Sequence, residues 1–278
     1  MRIDQCLKDG AAKLAALSDT AQLDTQLLLA SILQVSTSYL YTWPEKEISL
    51  EQKLAFNKLL KARSLGEPIA YLLGVQEFWS LEFNVSPCTL IPRADTEVLV
   101  EMALEKIVDI ATPLVLDLGT GTGAVALSIA SERPTAQVHA VDLIEDAVHL
   151  ARGNAKKLGL TASIYQSSWF ESVEKKGFDL IVSNPPYIDE ADHHLDEGDV
   201  RFEPKSALVA DLSGYADIQC IAQEALHYLA PSGWLVFEHG FEQARRSQDI
   251  LNSLGYKNVV TCQDYSGNDR VTLGQWLA

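Results

Sequence analysis

Asp117-Leu118-Gly119-Thr120-Gly121-Thr122-Gly123-Ala124 joins an apolar run to an apolar helical pattern. PLVLDLG (113–119) predicts a buried strand, and GAVALSIASERP (123–134) predicts a helix that stops at Pro134. Three alternating glycines are more than a tight turn needs. They let the backbone turn sharply and let a ligand approach the helix N-terminus with no side chain in the way. Outward from the loop, QVHAVDL (137–143) reads as a second strand and EDAVHLARGNAKKLGL as a helix ending at Gly159. ASIYQS, FDLIVSN and GWLVFEHG supply further strands, with a helix around 215–230 before the last of them. KNVVTCQDY and DRVTLGQWL close the chain as two neighbouring strands. This alternation predicts an α/β fold: a doubly wound, mostly parallel sheet with helices on both faces.

Upstream the pattern changes. Leu14, Leu17, Leu23, Leu27, Leu28, Leu29 and Ile32, then Leu54, Leu59 and Leu60, recur at helical spacing, and glycine is scarce. Residues 1–75 therefore read as a small helical bundle with the leucines as its core. Residues 76–92, QEFWSLEFNVSPCTLIP, alternate and carry aromatic and β-branched side chains, so a linking β-hairpin is expected there. The sheet domain then takes 93–278.

At 278 residues, with 47% apolar and 22% charged, the chain has ample material for a core. Acidic residues outnumber basic ones 38 to 22, a formal charge of −16. Gripping a nucleic acid backbone over a broad surface needs the opposite sign. Cys6, Cys88, Cys220 and Cys262 lie far apart with no CxxC spacing, which points to free thiols in a reducing compartment and to no metal site. There is no signal-like apolar segment at the N-terminus and no membrane-length apolar run, so a cytoplasmic protein is expected.

Asp142 ends the second strand, 19 residues after Gly123, where a carboxylate accepts hydrogen bonds from the hydroxyls of a ribose. The glycine pattern also fits a dinucleotide fingerprint, so the loop alone leaves NAD and S-adenosylmethionine open. Asp117, two places before Gly119, repels a diphosphate and suits a ligand bearing an ammonium and a sulfonium, which favours S-adenosylmethionine.

FDLIVSN runs into Asn184-Pro185-Pro186-Tyr187 at the same carboxyl edge of the sheet. The prolines fix the chain and leave carbonyls free. The Asn184 side-chain oxygen and the Pro185 carbonyl can each accept one hydrogen of an –NH2 group, while Tyr187 offers a flat face to cover it. Pulling both hydrogens aside favours a pyramidal nitrogen whose lone pair points at a methyl sulfonium.

The chain resembles the peptide chain release factor glutamine methyltransferases, the HemK/PrmC family, from about Arg63 to Arg270. The resemblance rests on Gly66-x-Pro68-x-x-Tyr71-x-x-Gly74, Glu77-Phe78, Leu90-Ile91-Pro92-Arg93 and Asp95-Thr96-Glu97. It continues through the glycine loop, Asn184 to Tyr187, Val200-Arg201-Phe202-Glu203-Pro204, Glu238-x-Gly240-x-x-Gln243 and Gly267-x-Asp269-Arg270. Asn-Pro-Pro-Tyr by itself is shared with amino-methylating DNA enzymes.

The resemblance implies a seven-stranded class I methyltransferase (Rossmann-like) domain and an N-terminal helical domain that docks a release factor. It implies methylation of the Gly-Gly-Gln glutamine amide, with S-adenosyl-L-homocysteine as product. Gly119, Thr120, Gly121, Thr122, Gly123 and Asp142 would hold the cofactor, Trp169 would lie against its adenine, and Asn184 would touch both cofactor and substrate. Pro185, Pro186 and Tyr187 would complete the glutamine clamp. Ser168 stands where family members often carry an acid, and Ala94 where they often carry proline. A DNA or RNA adenine amino-methyltransferase is the alternative reading.

Residues 189–199 hold six acids, Asp189, Glu190, Asp192, Asp196, Glu197 and Asp199, and no Lys or Arg, and read as a solvated acidic loop, facing a basic release factor surface. Glu238-His239 ends a strand near the site, but methylating an amide needs no strong base, so neither is expected to act in catalysis.

Overall fold

Five helices form from the glycine-poor stretch: α1 (Ile3–Leu14), α2 (Ala21–Leu33), α3 (Thr37–Thr42), α4 (Leu50–Ser64) and α5 (Ile69–Leu73). The start of α4 is set by a capping box: the Gln52 N–H donates to Ser49 Oγ at 3.1 Å, and the Ser49 N–H to Gln52 Oε1 at 2.8 Å. Leu14, Leu28, Leu29, Phe56 and Leu60 are buried among these helices. Leu17, Leu23 and Leu54 are not; each is more than half exposed or close to it, at 62%, 50% and 63%. The leucine stripe is thus wider than the core. Leu17 lies beyond the end of α1, and α2 turns Asp24 and Thr25 inward in place of Leu23.

Asp24 is buried because it is fully engaged. Ser18 and Thr20 hydroxyls each donate to it at 2.8 Å, and Arg63 Nε meets it at 2.8 Å. Arg63 Nη1 also meets Asp199 at 3.0 Å. The computed structural model describes residues 1–196 and 198–277, and its chain forms two compact units. One holds Met1–Val75 together with Asp196–Phe202; the other holds Gln76–Leu195 and the chain from Glu203 onward. The 196–202 segment thus groups with the helical unit, where Asp199 pairs with Arg63. Asp199 is ion-paired, not merely solvated. Glu197 and the side chains of His194 and Asp196 lie outside the described residues.

The hairpin is made by β1 (Val75–Phe78), all but its first residue in the second unit, and β2 (Leu81–Asn84), and is shorter than 76–92. Its turn residues Trp79 and Ser80 both have positive φ, 53° and 57°, matching the twist of the strands. Beyond Asn84, Pro87 and Pro92 lack the N–H groups that a longer ladder requires. After α6 (Glu97–Lys106) come β3 (Leu114–Leu118), α7 (Ala124–Glu132), β4 (Gln137–Asp142), α8 (Glu145–Leu158), β5 (Ser163–Gln166) and β6 (Phe178–Ser183). A one-turn element α9 (Asp211–Gly214), α10 (Ala216–Ala225), β7 (Leu229–Glu238), α11 (Ala244–Ser253), β8 (Lys257–Gln263) and β9 (Asp269–Gln275) follow.

The sheet order is β5-β4-β3-β6-β7-β9-β8, with β5 through β7 parallel and β9 antiparallel to both its neighbours. The mostly parallel, seven-stranded sheet flanked by helices agrees with the expected class. Strand order reverses at β3, so a crevice opens outside the carboxyl ends of β3 and its neighbours. Among the described residues no helix is long and apolar enough to cross a membrane.

Replacing Arg63 by Met is expected to lower stability by about 3 kcal/mol, because it leaves Asp24 buried without a counter-charge. Urea unfolding followed by circular dichroism measures this; an unchanged midpoint would mean that Ser18 and Thr20 alone carry the Asp24 charge.

Candidate active site

At the carboxyl end of β3 the chain turns through Gly119, Gly121 and Gly123, whose φ values are 70°, 55° and 83°. These left-handed conformations explain the glycines. The Thr120 N–H donates to Val141 O at 2.9 Å, and the Thr120 hydroxyl to Asp117 Oδ2 at 2.6 Å. Asp142, at the end of β4, holds the loop from the other side. Its Oδ2 accepts the Gly121 N–H at 2.8 Å and its Oδ1 the Ile144 N–H at 2.9 Å. Asp142 thus anchors the loop before it meets any ligand.

Gly119 to Thr122, Asp142, Trp169, Asn184 and Pro186 line one cleft. Gly123 stands outside it as the N-cap of α7, tight against Leu127 and Ala151. Pro185 and Tyr187 line a smaller adjoining hollow that Asn184 shares. Trp169 itself has a left-handed backbone, φ 46°, and its carbonyl accepts the Ser167 hydroxyl at 2.9 Å. Its ring lies 3.5 Å from where a Cβ on Gly119 would be, an ordinary contact distance, so it is the left-handed φ of Gly119 and not the space beside it that calls for glycine.

Among the described residues lining the cleft, three are carboxylates, Asp117, Asp142 and Asp217, and one, Arg93, is a cation. Arg93 meets the buried Glu203 at 3.2 Å. Burial pushes the Asp117 carboxyl up to about 7, against the Thr120 hydroxyl and the Ala126 N–H and with help from Asp142. Burial also raises Asp142, against the N–H groups of Ile144, Gly121 and Leu143. Such a cleft repels a diphosphate and attracts a cationic ligand. Its carboxylates are acceptors, a set that fits a nucleoside carrying an ammonium and a sulfonium.

The Asn184–Tyr187 segment is fixed from several sides. The Ser183 hydroxyl donates to Leu118 O at 2.8 Å and ties the ends of β6 and β3 together. Asn184 Nδ2 donates to Thr96 Oγ1 at 3.3 Å. The Tyr187 phenol donates to Glu238 Oε1 at 3.0 Å, and Gln243 Nε2 donates to the Tyr187 carbonyl at 3.0 Å. A Cβ on Gly214 would sit 2.0 Å from that same carbonyl. Burial raises the Tyr187 phenol, and the nearby Glu238 raises it further, so it stays protonated.

Sequence reading assigned no role to Thr96, Gln243 or Asp217. The first two fall in motifs quoted for the family resemblance, which was the only signal available for them. His239 is fully buried with Nδ1 2.8 Å from Gly240 O and Nε2 2.7 Å from Thr272 Oγ1. Burial lowers its pKa, leaving a neutral ring engaged at both nitrogens.

Residues 5–74 match the model of the PrmC N-terminal domain, and residues 94–202 match the Methyltransferase small domain. The release factor glutamine methyltransferase of Shewanella oneidensis is 52% identical over 276 residues, covering 99% of this chain and 96% of that protein. The protein of the same name from Aliivibrio fischeri is 55% identical over 94% of this chain and 92% of its own. That from Escherichia coli is 46% identical over 99% of each. Among solved structures, a methyltransferase from Pyrococcus furiosus aligns with TM-score 0.55 and 18% identity, over 71% of this chain and 90% of that one. The hMettl16 catalytic domain, solved with an RNA hairpin, aligns with TM-score 0.58 and 13% identity, over 79% and 81%. At those identities the two structures speak for the fold alone. The full-length relatives carry the conclusion: the chain belongs to the release factor glutamine methyltransferase family.

Proposed function

We propose that this protein transfers a methyl group from S-adenosylmethionine to the side-chain amide nitrogen of the Gly-Gly-Gln glutamine in peptide chain release factors. The observation that carries this reading is the braced Asn184–Tyr187 segment on the rim of a cleft lined by carboxylates. Gly119 to Thr122, Asp142 and Trp169 would hold the cofactor, Asp142 through its ribose and Trp169 through its adenine. Gly123 contributes by capping α7 behind the loop. When bound, the cofactor supplies an electrophilic methyl on a positively charged sulfur. The helical residues 1–75 dock the release factor. The acidic composition of the chain argues against a nucleic acid substrate.

An amide nitrogen is a weak nucleophile because its lone pair is delocalised. Asn184 Oδ1 and the Pro185 carbonyl accept its two hydrogens, which turns the lone pair toward the methyl. Pro185 and Pro186 keep those acceptors from shifting. The ring of Tyr187, anchored through its hydroxyl, covers the planar group. Acceptors held ready in this way contribute roughly 3 kcal/mol to lowering the barrier in comparable sites. Transfer would break the methyl–sulfur bond, leaving a neutral thioether, as the carbon–nitrogen bond forms; the nitrogen, now acidic, would pass one proton to water, so no strong base is needed at the start.

Intact-protein mass spectrometry of a bacterial release factor after incubation with this chain and S-adenosylmethionine tests the reaction. The expected result is a gain of one methyl that disappears when the Gly-Gly-Gln glutamine is replaced; no gain in a cofactor-binding preparation would overturn it. Asn184→Ala is expected to lower kcat about 10²–10³-fold while binding of S-adenosylhomocysteine weakens less than about tenfold. Near-normal turnover would remove the clamp from the mechanism.

Cofactor binding should depend on pH through Asp117. A bound cation lowers its pKa from about 7, so the free protein carries more protons than the complex. Affinity for S-adenosylmethionine therefore rises as pH increases toward and through 7, then levels off. Calorimetry should show proton release on binding, and Asp117→Asn should flatten that part of the profile. A flat profile in the parent protein would exclude Asp117 as the group facing the cation.

A further inference from the structure

A buried carboxylate stands behind the clamp. Glu238 closes β7 at 3% exposure and is absent from the walls of both the cleft and the adjoining hollow. Its Oε1 accepts the Tyr187 phenol at 3.0 Å, while Oε2, sealed from solvent, has no hydrogen-bond partner. Buried oxygens of this kind are almost always satisfied, so a donor is to be sought nearby. The Thr96 hydroxyl is the group placed to supply it. It is buried, it faces the Glu238 carboxylate, and its oxygen already accepts from Asn184 Nδ2 at 3.3 Å. A hydroxyl has a single proton, and with the oxygen engaged as acceptor that proton is available to Oε2.

We propose that Glu238 is a positioning residue: it sets the facing of the Asn184 amide through the Thr96 hydroxyl and holds Tyr187 through its phenol. Burial works against the charge on Glu238, while the Thr96 and Tyr187 hydroxyls and the Arg270 and Arg93 cations favour it; in that ionised form Glu238 can only accept, so the Thr96 proton points at it. Thr96 then offers Asn184 lone pairs alone, which turns the –NH2 of Asn184 inward and leaves Oδ1 to face the cleft. Were Thr96 to donate to Asn184, the side chain would flip and present its own –NH2 to the target –NH2, two donors face to face. One carboxylate thereby determines the polarity of the clamp without touching substrate or cofactor. This rests on reading Asn184 as the acceptor of the target amide.

Four variants test it on the full chain: Glu238→Gln, Thr96→Val, Thr96→Ser and the double variant Glu238→Gln/Thr96→Val. Glutamine keeps the shape of Glu238 but can donate to Thr96 and reverse the relay. Glu238→Gln and Thr96→Val should each lower kcat about 10²-fold, as a misplaced reactive group does, with S-adenosylhomocysteine affinity within about twofold of the parent. Thr96→Ser, which keeps the hydroxyl, should restore turnover. The double variant should be no slower than the worse single one, because both break the same relay. Additive losses, or a Thr96→Val protein with parental kcat, would overturn the proposal.

A second readout does not depend on turnover. In protein labelled with ¹⁵N-asparagine, the Asn184 side-chain –NH2 is identified by its loss in Asn184→Ala. It should exchange slowly with solvent in the parent and faster in Glu238→Gln. Equal exchange in both would reject the relay. Failure of the parent to methylate a release factor would instead count against the function, leaving this readout to decide the role of Glu238.

Discussion

Two parallel strands, β3 and β6, end side by side, and the placement of the glycine loop beside Asn184 depends on that adjacency. Their register pairs Asp117 with Val182 and Leu118 with Ser183, and the Ser183 hydroxyl bonds the Leu118 carbonyl at the last rung. From one strand end springs the glycine loop, and from the other Asn184. A parallel pair cannot slip by one residue without turning buried side chains to the opposite face, so the separation between loop and clamp is set by the core. Flexible loops closing over a ligand would not achieve the same precision.

The cleft built on this junction is electrostatically costly to the free protein. Asp117 is fully buried beside Asp142, and both carboxyls are raised above their ordinary values. A protein selected for stability alone would place apolar side chains there. Carboxylates held in a poorly solvated cleft gain most when a cation arrives, which is the usual sign of a binding site. Asp142 lessens the conflict by accepting two backbone N–H groups, so its charge organises the loop even in the free state.

Among the described residues, three of the eight non-glycine positions with positive φ lie beside this junction. Trp169, Leu212 and Ser213 are non-glycine residues with left-handed φ, a conformation that costs of order 1 kcal/mol each. Trp169 is held by the Ser167 hydroxyl, and the 212–213 turn brings Gly214 against the carbonyl of Tyr187. Each strained residue sets a wall of the cleft or a support of the clamp.

What the chain determined by itself was everything written within a few residues of one another. The alternation of strands and helices, the glycine loop, Asp142 at its strand end and Asn184 at its own are local patterns, and local backbone preference suffices to place them. The Trp79-Ser80 turn escaped because it lacks the glycine or asparagine that usually marks positive φ. The exposure of Leu23 and burial of Asp24 escaped because helical spacing does not say which neighbours a face will meet. Tertiary structure alone decided the partners: Arg63 with Asp199 across 136 residues, Asn184 with Thr96 across 88, Tyr187 with Glu238 across 51. Such pairs depend on strand order and on the path between elements, which no short stretch of sequence encodes. The glycine loop, Asp142 and Asn184 were therefore legible in the chain, while the side chains that contact Asn184 and Tyr187 became visible only once the sheet was assembled.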